Sequence, residues 1–161
     1  MNTKKLAFGG ILAAVYAVVT VLTASFAYGP VQFRIAEALC MLCYFTPSAV
    51  WGLTVGCFVS NLFSPMPIDL VVGTAATLIG CLLARRCRRH PALIPVPVIL
   101  SNAILVGLEL AWVYTPEAFL PGFLLSAVEV AAGETAVLYV LGLPLLLFLR
   151  RSPVGARLAE F

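Results

Sequence analysis

The chain has 161 residues, 62% of them hydrophobic and only 11% charged, with a formal net charge of +3. A soluble domain is roughly a quarter charged, so this composition excludes an ordinary water-soluble globule and describes a single transmembrane domain over residues 1–161. The basic residues cluster at Lys4–Lys5, Arg85–Arg89 and Arg150–Arg157 without interleaved aromatics, which gives nucleic-acid binding no support.

Taken in chain order, the first predicted span is Lys5–Ala27. Its apolar run is too long for a signal-peptide core and long enough to cross ~30 Å of hydrocarbon. The second, Phe33–Phe45, follows the Gly29-Pro30 break, and the third, Ser48–Leu62, follows Pro47. Both are short for a membrane crossing. The stretch "SPMPID" reads as a loop. The fourth span is Asp69–Leu83 and the fifth Leu93–Tyr114. The sixth runs from Pro121 to Leu149, with a kink expected near Pro144.

Six spans place the N-terminus, the Arg85–Arg89 loop and the C-terminus on one side. Those places hold nine of the ten Lys and Arg residues. Cytoplasmic loops carry the excess of Lys and Arg. The expected fold is therefore an all-α integral membrane protein with six transmembrane helices and both termini in the cytoplasm.

The polar residues inside the spans then acquire depth. Arg34, Asn61, Asp69, Glu109 and Glu129 fall in the outer half, with Asn102 and Glu134 nearer the middle. Ionisable groups in a membrane are costly and usually face the bundle interior. Arg34 and Glu37, three apart, suit either an interfacial ion pair or a site. Asp69 suits either a helix N-cap or a ligand contact. Asn102 and Glu109 are two turns apart on one stripe, with Trp112 three residues further. Glu129 and Glu134 lie about 140° apart around their helix, so only one faces a narrow cavity. Glu134 is deeper and is the expected site residue, with Tyr139 as a stacking partner. Acidic groups outnumber Arg34, so either some are protonated or the ligand brings cationic or N–H donor groups, and the second is the expected reading. Carboxylate, amide and aromatic side chains together suit a nitrogen-rich planar base.

The first span carries small residues at Gly9, Ala13 and Ala17, with Gly10 and Ala14 beside them. Such stripes let another helix approach closely. They suit either internal packing or docking to a partner membrane protein. The five cysteines include Cys40-x-x-Cys43, but no histidine or second pair accompanies it. Buried thiols are the expected reading. No catalytic, metal-ligand or phosphate-loop pattern is present, so neither enzyme activity nor a cofactor is expected.

The segments "YGPVQFRIAEAL", "FTPSAVWGLTVGCFVSNLFSP", "DLVVGTAATLIGCLLA", "NAILVGLELAWVY" and "GETAVLYVLGLPLL" resemble, in order and spacing, the QueT family. These are substrate-binding S components of energy-coupling factor (ECF) transporters for queuosine precursors. The resemblance implies a bacterial cytoplasmic-membrane protein that binds a 7-deazaguanine from outside. It implies partners as well: a transmembrane T component and two ATPase subunits. It places Arg34, Glu37, Asn61, Asp69, Asn102, Glu109 and Glu134 at the substrate, and Ala13 and Ala17 at the T component. The alternatives are an S component for another vitamin-like substrate, or a membrane enzyme or assembly protein that uses the acidic cluster.

Overall fold

A computed structural model describes residues 3–28 and 32–161. Every regular element among them is helical. The chain begins with α1 (Thr3–Leu22) and α2 (Ala24–Ala27), then a 3-10 segment, Ile35–Tyr44. After α3 (Pro47–Asn61) and a turn at Pro67–Leu70 comes α4 (Val72–Arg86). A turn at Pro91–Leu93 leads into α5 (Pro95–Tyr114), and one at Pro116–Ala118 into α6 (Phe119–Val137). A π-helical stretch, Leu138–Gly142, joins α6 to α7 (Leu143–Arg151), and α8 (Pro153–Leu158) follows. The expected Gly29-Pro30 break lies outside the described residues.

Four stretches are long and apolar enough to cross a membrane: Thr3–Leu22, Pro67–Arg86, Pro91–Tyr114 and Pro116–Arg151. The all-α membrane architecture expected from composition is therefore present. The second and third expected spans are shorter than a full crossing. Ile35–Tyr44 is a 3-10 helix of 10 residues, and α3 has 15. The reason lies in what surrounds the first of them. Glu37, Cys40, Met41 and Cys43 are fully buried, and the segment touches α1, α3, α4, α6 and α7. A segment wrapped by other helices need not satisfy the length that lipid imposes.

Glycines set the closest helix contacts. A Cβ on Gly52 would lie 2.5 Å from the Gly9 carbonyl oxygen, and one on Gly56 would lie 2.7 Å from that of Ala13. Helix α3 therefore rests on α1 backbone to backbone, the approach that small residues permit. At Gly107 the same test meets Ala127 at 3.1 Å, which seats α5 on α6. Pro144 explains the π-helical stretch before it. Proline has no N–H, and its ring crowds the carbonyl four residues back, so the turn at Leu138–Gly142 opens.

One end of the bundle collects the basic clusters. The Phe8 and Phe161 rings stack at 4.8 Å, joining α1 to the end of the chain. Arg85 Nη1 donates to the Cys43 carbonyl at 3.0 Å, and Arg150 lies 5.4 Å from the Tyr44 ring. The polar interior lies toward the opposite end, near the loops that precede Ile35 and α4. Large apolar side chains such as Ile11, Phe58, Leu100, Val128 and Phe148 are exposed around the outside, as lipid contact requires.

Candidate functional site

The site starts where helix stops. Gln32 holds φ at +48°, a conformation strained for a residue with a Cβ. Arg34 follows with φ −79° and ψ 84°, outside the helical region. Its side chain turns into the bundle and is 2% exposed. Arg34 Nη2 meets Asp69 Oδ1 at 3.3 Å. Asp69 Oδ2 accepts from Ser64 Oγ at 2.6 Å, and the Asp69 carbonyl accepts from Asn61 Nδ2 at 2.8 Å. The Tyr28 ring lies 6.0 Å from the guanidinium carbon, and its hydroxyl donates to the Ser60 carbonyl at 2.7 Å. Gly73 completes this corner. A Cβ there would sit 2.9 Å from Asn61 Nδ2 and 3.2 Å from Asp69 Oδ1.

Two expectations change here. Arg34 pairs with Asp69 and not with Glu37, because its non-helical backbone breaks the i, i+3 stacking that the pair would need. Asp69 does not cap α4, whose N-cap is Val71 without a side-chain bond. Its carboxylate is taken by Arg34 and Ser64.

Glu37 has a different set of partners. Its Oε1 accepts from the Tyr16 hydroxyl at 2.5 Å and from Thr77 Oγ1 at 2.9 Å. Its Oε2 accepts from the Cys40 thiol at 2.8 Å. These donors come from α1, α4 and the 3-10 segment itself, so Glu37 knits three elements together.

Asn102 on α5 and Glu134 on α6 form the third group. Asn102 Nδ2 donates to Glu134 Oε1 at 3.1 Å. Glu134 is 1% exposed, whereas Glu129 is half-buried, so the deeper carboxylate faces inward. Glu109 is 3% exposed. Arg34 is among the charged groups that act on both Glu109 and Glu134.

The cluster is incompletely satisfied. Buried atoms without a hydrogen-bond partner include both Glu109 oxygens, Glu134 Oε2, Asn102 Oδ1, Asn61 Oδ1, and the Arg34 Nε and Nη1 groups. Native interiors leave few such atoms. Two of them belong to the Arg34 guanidinium, whose charge acts on both Glu109 and Glu134. Four are carboxylate or amide acceptors on α5 and α6, one is an amide acceptor on α3, and two are guanidinium donors. A ligand with several N–H donors and one acceptor would satisfy them.

Trp112 and Tyr139 are not brought into this cluster. Trp112 is 69% exposed. Tyr139 donates to the Ala92 carbonyl at 3.1 Å, in the turn before α5. Gly9 and Ala13 face Gly52 and Gly56 of α3, Ala17 is half-buried, and the outward small residues of α1 are Gly10 and Ala14. The cysteines are free thiols, and no metal-binding cluster occurs among the described residues. Sequence reasoning does not single out Gln32, Tyr16, Ser64 or Thr77. A single Tyr or Thr in an apolar helix carries little signal until its partner is known.

A family model described as QueT transporter matches residues 6–151. The queuosine precursor transporter QueT of Lactococcus lactis subsp. cremoris (strain MG1363) is 35% identical over 71 residues. That alignment covers 43% of this chain and 42% of the relative, so less than half of the relative's length is matched. No solved structure matches the chain.

Proposed function

From the premise that the chain belongs to the QueT transporter family, we propose that it is the substrate-binding S component of an ATP-driven ECF importer for a queuosine precursor. Membership makes it a multi-pass membrane transport protein and not an enzyme. The observation that carries the reading is the buried polar cluster around Arg34, whose unpartnered atoms have the complement of a 7-deazaguanine. The Glu134–Asn102 pair takes ring and exocyclic N–H donors. Arg34 Nε and Nη1 donate to the ring carbonyl. Charge-assisted bonds of this kind are the strong ones.

In this proposal six segments pass between the two ends of the bundle. Ile35–Tyr44 and α3 are the two short ones. The basic end faces the cytoplasm, because Lys and Arg are retained there. The polar cluster then opens outward. A T component carrying two ATPases would dock on α1. Gly9 and Ala13 are already committed to α3, so the surface offered to it is the Gly10–Ala14 row with half-buried Ala17.

Isothermal titration of the purified chain in lipid nanodiscs tests the reading. Saturable binding of 7-aminomethyl-7-deazaguanine or 7-cyano-7-deazaguanine is the expected result. Absence of heat with both compounds would overturn it.

A further inference from the structure

We propose that the cleft formed by Arg85, Arg86, Arg88 and Arg89 binds the phosphate of an anionic phospholipid, whose acyl chain runs along the outer face of α4. This site lies at the basic end of the bundle, away from the Arg34 cluster, and is independent of the substrate.

Four guanidinium groups fall within five residues, in the last turn of α4 and the turn that follows it. Arg85 and Arg86 answer the partial negative charge of the helix C-terminus. That role needs only the last turn, and Arg88 and Arg89 lie beyond it. All four nevertheless line one cleft of about 470 Å³. Arg85 is anchored through its bond to the Cys43 carbonyl at 3.0 Å, while Arg86, Arg88 and Arg89 are exposed. None of the four forms an ion pair with a carboxylate among the described residues. The Arg88 charge acts on Arg85, so like charges are held together with no protein anion between them. A bound anion relieves that repulsion. Phosphate suits it best, because the planar guanidinium fork bonds phosphate oxygens in pairs.

The outer face of α4 supplies the second half of the site. Ile79, Leu82 and Leu83 are exposed. Together with Arg86 they follow the i, i+3, i+4, i+7 spacing of one helix face. A single stripe thus runs ~10 Å from aliphatic side chains to a cationic end. An amphiphile with an anionic head matches both parts. A soluble anion or an acidic protein segment would use the arginines and leave the stripe unused. A zwitterionic headgroup would bring its own ammonium into the cleft and restore the repulsion. Basic pockets at the cytoplasmic side of membrane helices recognise anionic headgroups in this way.

Native mass spectrometry of the purified chain in mild detergent tests the proposal, with phosphatidylglycerol and phosphatidylethanolamine of matched chains as the probes. Wild type should bind phosphatidylglycerol on the order of tenfold tighter than phosphatidylethanolamine. Arg86→Gln and Arg88→Gln, each at an exposed side chain, should lower that ratio about fivefold. Arg85 stays in place in both, since it holds the Cys43 carbonyl. Arg151→Gln, in a separate cleft with Leu147, Phe148 and Ser152, should leave the ratio intact. Equal wild-type affinities for the two lipids, or no binding of either, would overturn the proposal. An equal loss at Arg151 would also overturn it, by reducing the effect to the general charge of the basic end. Displacement of phosphatidylglycerol by an equal concentration of inorganic phosphate or of an acidic peptide would assign the cleft to a soluble partner instead, and the lipid would be excluded.

Discussion

Glu37 and Glu109 are both buried carboxylates in an apolar bundle, and they stand in opposite situations. Glu37 receives donors from α1, α4 and its own segment. Glu109 receives none. Burial alone therefore does not separate an acid held by the protein from one left available to a ligand. The number of protein donors does. A carboxylate whose partners come from several helices holds those helices in place. A buried carboxylate without partners is costly while charged, and either a proton or a donor from outside the chain relieves it. The two should respond differently to mutation: losing the first should lower stability, and losing the second should lower affinity while leaving stability unchanged or improved.

The largest effect expected from this contrast is at Glu37. Glu37→Ala leaves the Tyr16 and Thr77 hydroxyls without their acceptor. Each orphaned group costs about 1–3 kcal/mol, and the vacated volume adds to that. The midpoint of thermal unfolding in detergent should fall steeply. An unchanged midpoint would place Glu37 on the ligand side of the comparison.

Next comes Glu134→Gln, which should weaken binding of a 7-deazaguanine on the order of tenfold without lowering the unfolding midpoint. Titration and a melting curve on the same preparation check it. Loss of stability together with affinity would make Glu134 a second Glu37. The smallest effect belongs to Trp112→Ala. The ring is exposed on the outside of α5, and surface substitutions usually stay within ~0.5 kcal/mol, about twofold in affinity. A larger loss would mean that the indole reaches the ligand.

The contrast also separates what is legible in the sequence from what is not. Asn102 and Glu109 stand out because polar groups in apolar runs are costly, and seven residues return a helix to nearly the same face. Trp112 resembles part of the same stripe, but three residues leave it ~60° off, and that angle turns it toward lipid. Tyr139 lies about 140° from Glu134 by the same count, and it bonds at the basic end instead. The Arg34 partner is illegible for another reason. Helical spacing points to Glu37, yet the Gln32–Arg34 backbone is not helical, and the true partner lies 35 residues away. Tyr16 and Thr77 give no warning, since a hydroxyl in an apolar helix often bonds its own backbone, as Thr20 does to Tyr16. The small-residue stripe is visible, but spacing leaves open which helix it serves. The Gly9–Gly52 contact gives much of it to α3.

The opened turn at Leu138–Gly142 behaves as one residue inserted into an otherwise continuous rod. It shifts the phase of everything below it relative to everything above it. Upstream, Glu134 points at Asn102. Downstream, Leu146 is buried in the core and Arg150 covers the Tyr44 ring. Gly142 fits there because a Cβ would crowd Met41 at 3.0 Å. Removing one residue from this turn would restore uniform α-helical winding and rotate the lower half by ~100° relative to the upper. The chain could then orient Glu134 inward or keep Leu146 in the core, but not both. The polar cluster and the basic end are thus keyed to each other through the phase of a single helix.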